Sequence, residues 1–255
     1  MQPNYIHLEE TLSTNTKLAE IAAESPHGTV VYADRQTKGR GQRGNSWEST
    51  PYKNITMSVL LKKKNVAPSH QFELSEITAL ALVNVLNKYI DHVSIKWPND
   101  IYYKDFKICG ILIEHSLSGG EIDHTICGIG LNINQSEFVS DAPNPISLKM
   151  ITCKDHSVKE ILHELSEEIL RLCDTLPNKA KEVHEKFLSK LYRKDGFYSY
   201  CCKIHSVSVD GTHVLEPEET FQATITDVQP DGMMLLTLPN GQQHSFAFKE
   251  VMFII

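Results

Sequence analysis

The sequence predicts an α/β chain (α+β in its layout) in which a mixed β-sheet flanked by helices precedes a small all-β unit. Three observations carry this. Over the first three quarters, strand-like runs at 29–33, 55–61, 93–97, 108–114 and 125–133 alternate irregularly with helical ones. Two long segments, 73–90 and 157–172, are apolar or carry apolar residues at helical spacing. After Asp195-Gly196 the helical period disappears and apolar runs follow, with Asp231-Gly232 and Asn240-Gly241 as tight-turn signals between them. The expected units are therefore 1–195 and 196–255.

Each element rests on its own residues. Leu18, Ile21 and Ala22 share one face of a helix over 13–24, with Ser13, Thr14 and Asn15 available for capping. The run 29–33 is a short β-branched strand. Ile55, Met57, Val59 and Leu61 alternate with smaller or polar residues, the period of a half-buried strand. The segment 73–90 reads as a long, mostly buried helix. Ser157 and Glu160 form a capping box, and the helix behind them places Val158, Ile161, Leu162, Leu165, Ile169 and Leu172 on one face. Pro177 suits the first turn of a further helix with Val183, Phe187 and Leu191 inward. Runs at 198–209, 221–228, 233–238 and 244–248 read as strands, and four or five short strands in one segment suggest a small barrel.

Composition excludes several function classes. The 255 residues are 41% hydrophobic and 22% charged, with a formal net charge of −7. Non-specific nucleic-acid binding needs many cations on phosphates, so this chain is a poor candidate for it. The last unit is more acidic still, with seven carboxylates against Lys203 and Lys249. Lys62-Lys63-Lys64 reads as a solvated strand end. No targeting segment and no apolar stretch of about 20 residues is visible, so no membrane role is expected. The six cysteines show no C-x-x-C spacing; Cys109 and Cys127 lie inside apolar runs, and Cys201-Cys202 with His205 is not a paired zinc pattern. No metal ligands are assigned, and a reduced, cytoplasmic protein is expected.

The chemistry concentrates in Gly39-Arg40-Gly41-Gln42-Arg43-Gly44. The string satisfies G-x-G-x-x-G, but a dinucleotide-binding turn continues into an apolar helix with an acidic ribose ligand about 20 residues on. Here Asn45-Ser46-Trp47-Glu48-Ser49-Thr50-Pro51 follows, and the distant position falls among Lys62–Lys64. What remains is a loop whose glycines let backbone N–H groups approach an anion and whose guanidinium forks bind carboxylate or phosphate.

Five segments then occur in order: Ser13-Thr14-Asn15; Gln36-x-x-Gly39-Arg40-Gly41-Gln42-Arg43-Gly44-x-x-Trp47; Lys96-Trp97-Pro98-Asn99-Asp100; Lys107-x-x-Gly110-Ile111-Leu112-Ile113-Glu114; and Gly128-Ile129-Gly130-Leu131-Asn132-Ile133-Asn134. The set resembles the biotin–protein ligase family, of the monofunctional type without an N-terminal DNA-binding domain. The resemblance covers nearly the whole chain. It implies the class II synthetase-like biotin–lipoate ligase fold over 1–195, and the end of the chain, Phe246-Ala247-Phe248-Lys249-Glu250-Val251, looks like the family's SH3-like domain.

That resemblance implies an ATP-dependent biotin–[acetyl-CoA-carboxylase] ligase. Such an enzyme makes biotinyl-5'-AMP and transfers biotin to a lysine of a biotin carboxyl carrier protein or domain. Biotin and ATP are then substrates, with Mg²⁺ accompanying the nucleotide. Joining two anions needs cationic clamps, and the resemblance gives that role to Arg40 and Lys107. Ser13, Thr14, Asn15, Gln36, Gly39, Arg40, Gly41, Gln42, Lys107, Gly110 and Gly128 are the implied biotin-binding residues. Arg40, Arg43, Trp47, Asn99, Asp100 and Asn132 are those implied for ATP and the adenylate: Trp47 covers the adenine, Asn99 and Asp100 stand near phosphates and Mg²⁺, and Asn132 faces adenine or ribose. Trp97 is read as core. Many family members have arginine where this chain has Gln42, so a charge is missing there. A homodimer is allowed. The rivals are a lipoate or octanoate ligase of the same fold, a biotin-sensing DNA-binding repressor, for which no winged helix precedes Ser13, and a non-catalytic binding module.

Overall fold

A computed structural model describes residues 2–63, 66–140 and 144–255, and of Arg43 the backbone only. Lys64 therefore lies outside the described residues, and so does the side chain of Arg43. The chain runs β1 (Asn4–Thr11), α1 (Thr14–Ile21), β2 (Thr29–Gln36), β3 (Ile55–Leu61), α2 (Phe72–Leu86), β4 (Val93–Lys96), β5 (Asp100–Tyr103), β6 (Phe106–Ser118), β7 (Glu121–Leu131), α3 (Leu148–Thr152), α4 (Val158–Cys173) and α5 (Ala180–Ser189). It then continues as β8 (Tyr198–Cys202), β9 (Ser206–Val207), β10 (Val214–Leu215), β11 (Thr220–Val228), β12 (Met234–Thr237), β13 (Gln243–Phe246) and β14 (Val251–Phe253).

The first seven strands form one mixed sheet in the order β1-β2-β3-β7-β6-β5-β4. Among the described residues only the β1–β2 strand pair of this sheet is parallel, and α1 makes the crossover it needs. The strand β3 is buried throughout, not half-buried as its alternation predicts. Its alternation separates two buried environments rather than core from water. Ile55, Met57, Val59 and Leu61 join the main core, to which α2 and α4 contribute, while Leu60 packs with Leu18 and Ala22 of the α1 region. Thr56 and Ser58, on that second side, satisfy their hydroxyls on Ala33 O and on the start of α1. The same alternation runs through β7, where Cys127, Ile129 and Leu131 face the main core and Gly128 and Gly130 lie between them.

Several boundaries depart from the sequence-based reading. The strands β1 and β5 were not expected from the pattern. Ser13 stands at the N-cap of α1 but makes no capping bond; the Thr14 amide is bound by Gln36 Oε1 at 2.8 Å instead. Pro177 precedes α5, which starts only at Ala180, though Val183 and Phe187 do point inward and Leu191 is buried just beyond it. The Ser157 cap holds, with its hydroxyl accepting from Glu160 N at 3.3 Å.

The C-terminal strands form a five-stranded antiparallel sheet, β13-β12-β11-β8-β14, with β9 and β10 as a separate ribbon. Among the described residues no pairing joins β13 to β14, so no closed barrel is formed by the ladders. Gly232 and Gly241 adopt positive φ of 93° and 89° at the two expected turns. This unit packs directly onto the first. Trp97 Nε1 donates to Gly232 O at 3.0 Å, Phe72 N to Pro230 O at 3.3 Å, and His184 links Glu76 Oε1 at 2.7 Å to Asp227 Oδ1 at 2.9 Å. Its buried apolar residues belong to the same core cluster as those of α2 and α4.

Candidate active site

Antiparallel register assembles the floor of the site. Lys96 pairs with Asp100, Asp100 with Gly110, Gly110 with Gly130, and Gly130 with Thr56, a single row across five strands. One row along, Leu112, Gly128 and Ser58 are aligned. Two glycines in the first row and one in the second remove side chains from this face and leave a trough. The trough belongs to a cavity of about 510 Å³.

The cavity collects nearly every residue singled out from the sequence. Ser13, Thr14, Asn15, Gln36, Arg40, Gly41, Gln42, Trp47, Asn99, Asp100, Lys107, Gly110, Gly128 and Asn132 all line it. Gly39 does not, but it shapes the loop: a Cβ there would come within 2.4 Å of Trp47 O. Arg43 contributes backbone to a short 3-10 turn at Gln42–Gly44.

One set of groups is polar and tightly bonded. Thr14 Oγ1 donates to Gln36 Oε1 at 3.2 Å, and Asn15 Nδ2 donates to Glu114 Oε2 at 2.8 Å and Leu112 O at 3.3 Å. Ser58, fully buried, reaches Thr14 Oγ1 at 2.7 Å and Asn15 Oδ1 at 2.5 Å. Gly128 is what lets Asn15 lie on the sheet, since a Cβ there would meet Asn15 Oδ1 at 2.1 Å.

Two cations border the same cavity. Lys107 Nζ is 2.7 Å from Asp100 Oδ1 and 5.7 Å from the centre of the Trp47 ring. Arg40 Nη2 donates to Glu114 Oε1, and its Nη1 to Thr16 Oγ1 at 3.2 Å. Lys96 also lines the cavity; burial pushes its ammonium down, opposed by the Asp100 carboxylate and reinforced by Lys107. The two cations assigned as clamps thus border one cavity, and each is held by a carboxylate.

The Trp47 indole lies on the paired glycines. A Cβ on Gly130 would come within 2.3 Å of it and one on Gly110 within 2.9 Å. Its Nε1, Gln42 Oε1 and Asn132 Oδ1 are buried and have no hydrogen-bond partner among the described residues. A buried polar atom left unpaired is costly, so three such atoms around one cavity mark positions where a polar ligand is favoured. Asn132 is otherwise structural, its Nδ2 donating to Ile146 O at 3.1 Å and its N to Ile108 O at 3.0 Å. Asn99 likewise donates through Nδ2 to Ile111 O at 2.7 Å.

Some site residues carry no signal in the sequence. Ser58 sits in an ordinary strand alternation, and Glu114 appears only as the last letter of a motif. Phe138, Ser140, Asn144 and Phe248 also line the cavity, Phe248 from the C-terminal unit. Trp97, read as core, is 4% exposed yet borders the cavity as well.

The model of the biotin/lipoate A/B protein ligase family matches residues 8–132. The bifunctional ligase/repressor BirA of Escherichia coli is 34% identical over 122 residues, covering 48% of this chain and 38% of that protein. The matches span 38 to 41% of the length of four such bacterial ligase/repressors. A biotin–[acetyl-CoA-carboxylase] ligase of Mycobacterium tuberculosis is 28% identical over 189 residues, 71% of this chain and 69% of that one. The solved biotin protein ligase of Aquifex aeolicus in complex with biotin and ATP superposes with a TM-score of 0.75 at 28% identity, covering 98% of both chains. Residues 8–132, which include the strands that build the cavity, match the biotin/lipoate A/B protein ligase family, and along nearly its full length the chain is alike in fold to a solved biotin protein ligase.

Proposed function

We propose that the protein is a biotin–protein ligase. One observation carries this reading: Arg40 and Lys107 border the same cavity as the polar cluster of Ser13, Thr14, Asn15, Gln36 and Ser58. Biotin has a hydrogen-bonding ureido ring at one end and a carboxylate at the other. A cavity that gathers a polar cluster and two cations offers partners to both groups. The named relatives and the neighbour with biotin and ATP bound support the same choice.

In this reading a carboxylate oxygen of biotin attacks the α-phosphorus of ATP and pyrophosphate leaves, giving biotinyl-5'-AMP. A lysine amine of a carrier domain then attacks the acyl carbon; AMP leaves and the amine loses a proton. Arg40 and Lys107 stabilise the charge that gathers around the α-phosphate. Gly41, Gln42, Gly110 and Gly128 give backbone and amide contacts to biotin, while Gly39, outside the lining, shapes the loop. Trp47, Arg43, Asn99, Asp100 and Asn132 serve the nucleotide. Ring-end polar atoms that pair with the ureido group reject analogues lacking it, because the protein atoms would stay unpaired.

For Mg²⁺ the fit is partial. Among the described residues no three His, Cys, Asp or Glu side chains converge, so there is no protein cage. Asp100, on the cavity wall, can supply the one carboxylate that Mg²⁺ commonly takes beside substrate phosphates. The ion would neutralise phosphate charge.

We assign catalysis to residues 1–195, with 196–255 an appended unit whose Phe248 reaches the cavity. The acceptor is a biotin carboxyl carrier domain, and six free thiols suit a reducing cytoplasm. The test is incubation with ATP, labelled biotin and a biotin carboxyl-carrier domain, with lipoate in parallel. Label is expected on the carrier lysine from biotin alone. No transfer, or transfer of lipoate instead, would overturn the reading.

A further inference from the structure

Glu114 of β6 lies outside the lining of the cavity, yet it holds two residues that line it. Its Oε1 accepts from Arg40 Nη2, and its Oε2 accepts from Asn15 Nδ2 at 2.8 Å. Arg40 belongs to the glycine-rich segment and Asn15 to the first turn of α1. One carboxylate therefore ties Arg40 of the glycine-rich segment to Asn15 of the polar cluster.

The two contacts differ in environment. Asn15 is 3% exposed and fixed on its other side by Ser58. The Arg40 and Glu114 side chains are 45% and 36% exposed. An ion pair this open to water contributes little, so the guanidinium can leave it cheaply. A buried amide bonded at both of its ends cannot turn without leaving polar atoms unpaired.

We propose that Glu114 is a positioning residue whose two oxygens do different work. Oε2 fixes the orientation of Asn15 at the ring end. Oε1 holds the Arg40 guanidinium at the edge of the cavity until an anionic group of the substrate takes it over. The inference rests on the cavity being the biotin-activating site. A substrate carboxylate then binds by displacing another carboxylate from Arg40, and that exchange lowers its apparent affinity. An uncharged analogue leaves the Arg40–Glu114 pair intact and is indifferent to it.

The substitution Glu114→Gln separates the two roles, because the amide oxygen still accepts from Asn15 while the competing charge is gone. Calorimetric titration with biotin and with biotin amide gives the readout. Biotin is expected to bind the variant about threefold to fivefold more tightly, the size of a wet ion pair, with the amide changed by less than about twofold. In an Arg40→Ala background the gain for biotin is expected to vanish. If Glu114→Gln does not fold, Arg40→Ala alone is the test, and it is expected to weaken biotin while changing the amide by less than about twofold. Equal weakening of biotin and amide, or a gain that survives Arg40→Ala, would overturn the proposal and leave Glu114 a structural support. Absence of biotin binding in the unaltered protein would overturn the reading of the site itself.

Discussion

Lys107 Nζ lies 2.7 Å from Asp100 Oδ1, and both residues line the cavity that Arg40 borders. The ammonium is thus held at the site by a carboxylate on the neighbouring strand, in a pair that is mostly shielded from water. Replacing Lys107 by alanine is expected to cost about 10²–10³ in the rate of adenylate formation, the usual loss for one charge-stabilising donor. Biotin-dependent exchange of pyrophosphate into ATP measures this step without the carrier. A rate within about threefold of the parent would remove Lys107 from the chemistry.

The glycine pair beneath Trp47 makes a second prediction. Gly130→Ala puts a Cβ where the indole now lies, 2.3 Å from ring atoms, so Trp47 must move off the sheet. The chain has two tryptophans, and Trp97 is buried at 4% exposure, so a shift in emission reports Trp47. A red-shifted spectrum with weakened nucleotide binding is expected. An unchanged spectrum would mean that the ring does not rest on Gly130 in solution.

Ser58→Ala removes the hydroxyl that serves Thr14 Oγ1 and Asn15 Oδ1 from beneath. The site is fully buried, so the bare acceptors are expected to cost about 1–3 kcal/mol of stability. Denaturant unfolding reads the stability, and biotin affinity is expected to fall with it because Asn15 loses its fixed orientation.

Gln42 lines the cavity with a buried Oε1 that has no partner among the described residues. A guanidinium there adds a charge-assisted bond, which is about twice as strong as a neutral one. Gln42→Arg is therefore expected to slow the loss of biotinyl-5'-AMP from the enzyme. Equal off-rates for the two proteins would show that the loop's other cations already supply this hold.

His184 gives a pH dependence to the junction between the two units. Its hydrogen bond to Glu76 pushes its pKa up to about 9 from 6.5, despite burial, and Asp227 acts in the same direction. Burial pushes the Glu76 carboxyl upward, but the imidazolium beside it counters this, so the charged pair is the state that holds α2, α5 and β11 together. A histidine whose folded pKa is raised stabilises fully below its unfolded pKa and loses that contribution as pH rises through the folded value. The stability difference between the parent and His184→Gln should be greatest near pH 6 and shrink as pH approaches and passes about 9. Thermal unfolding across this range decides it, and a difference independent of pH would discard the charged bridge.

How much of this was legible beforehand follows from how far apart the cooperating residues lie in the chain. The alternation of Ile55, Met57, Val59 and Leu61, the helical face of 158–172, the Ser157 cap and the turns at Gly232 and Gly241 all depend on near neighbours, and all appear in the structure. The strand β5 was missed because four residues after Pro98 are too few to show a period, and β1 because its alternation is only Ile6 and Leu8 among largely polar neighbours.

For the site, the residue types that bind anions and ureido groups were visible as motifs, and most of them do converge on one cavity. What they touch was not visible. That Arg40 is paired with Glu114, that Ser58 supports Asn15 from below, and that Phe248 closes a wall depends on contacts between residues 43 to more than 100 positions apart. By itself the sequence determined most of the elements, the glycine–arginine loop and the residue types of the cavity, because backbone preference and side-chain type are local properties. Tertiary structure alone decided the row Lys96–Asp100–Gly110–Gly130–Thr56 and the carboxylates that hold each cation, because strand register and packing select among many chemically acceptable neighbours.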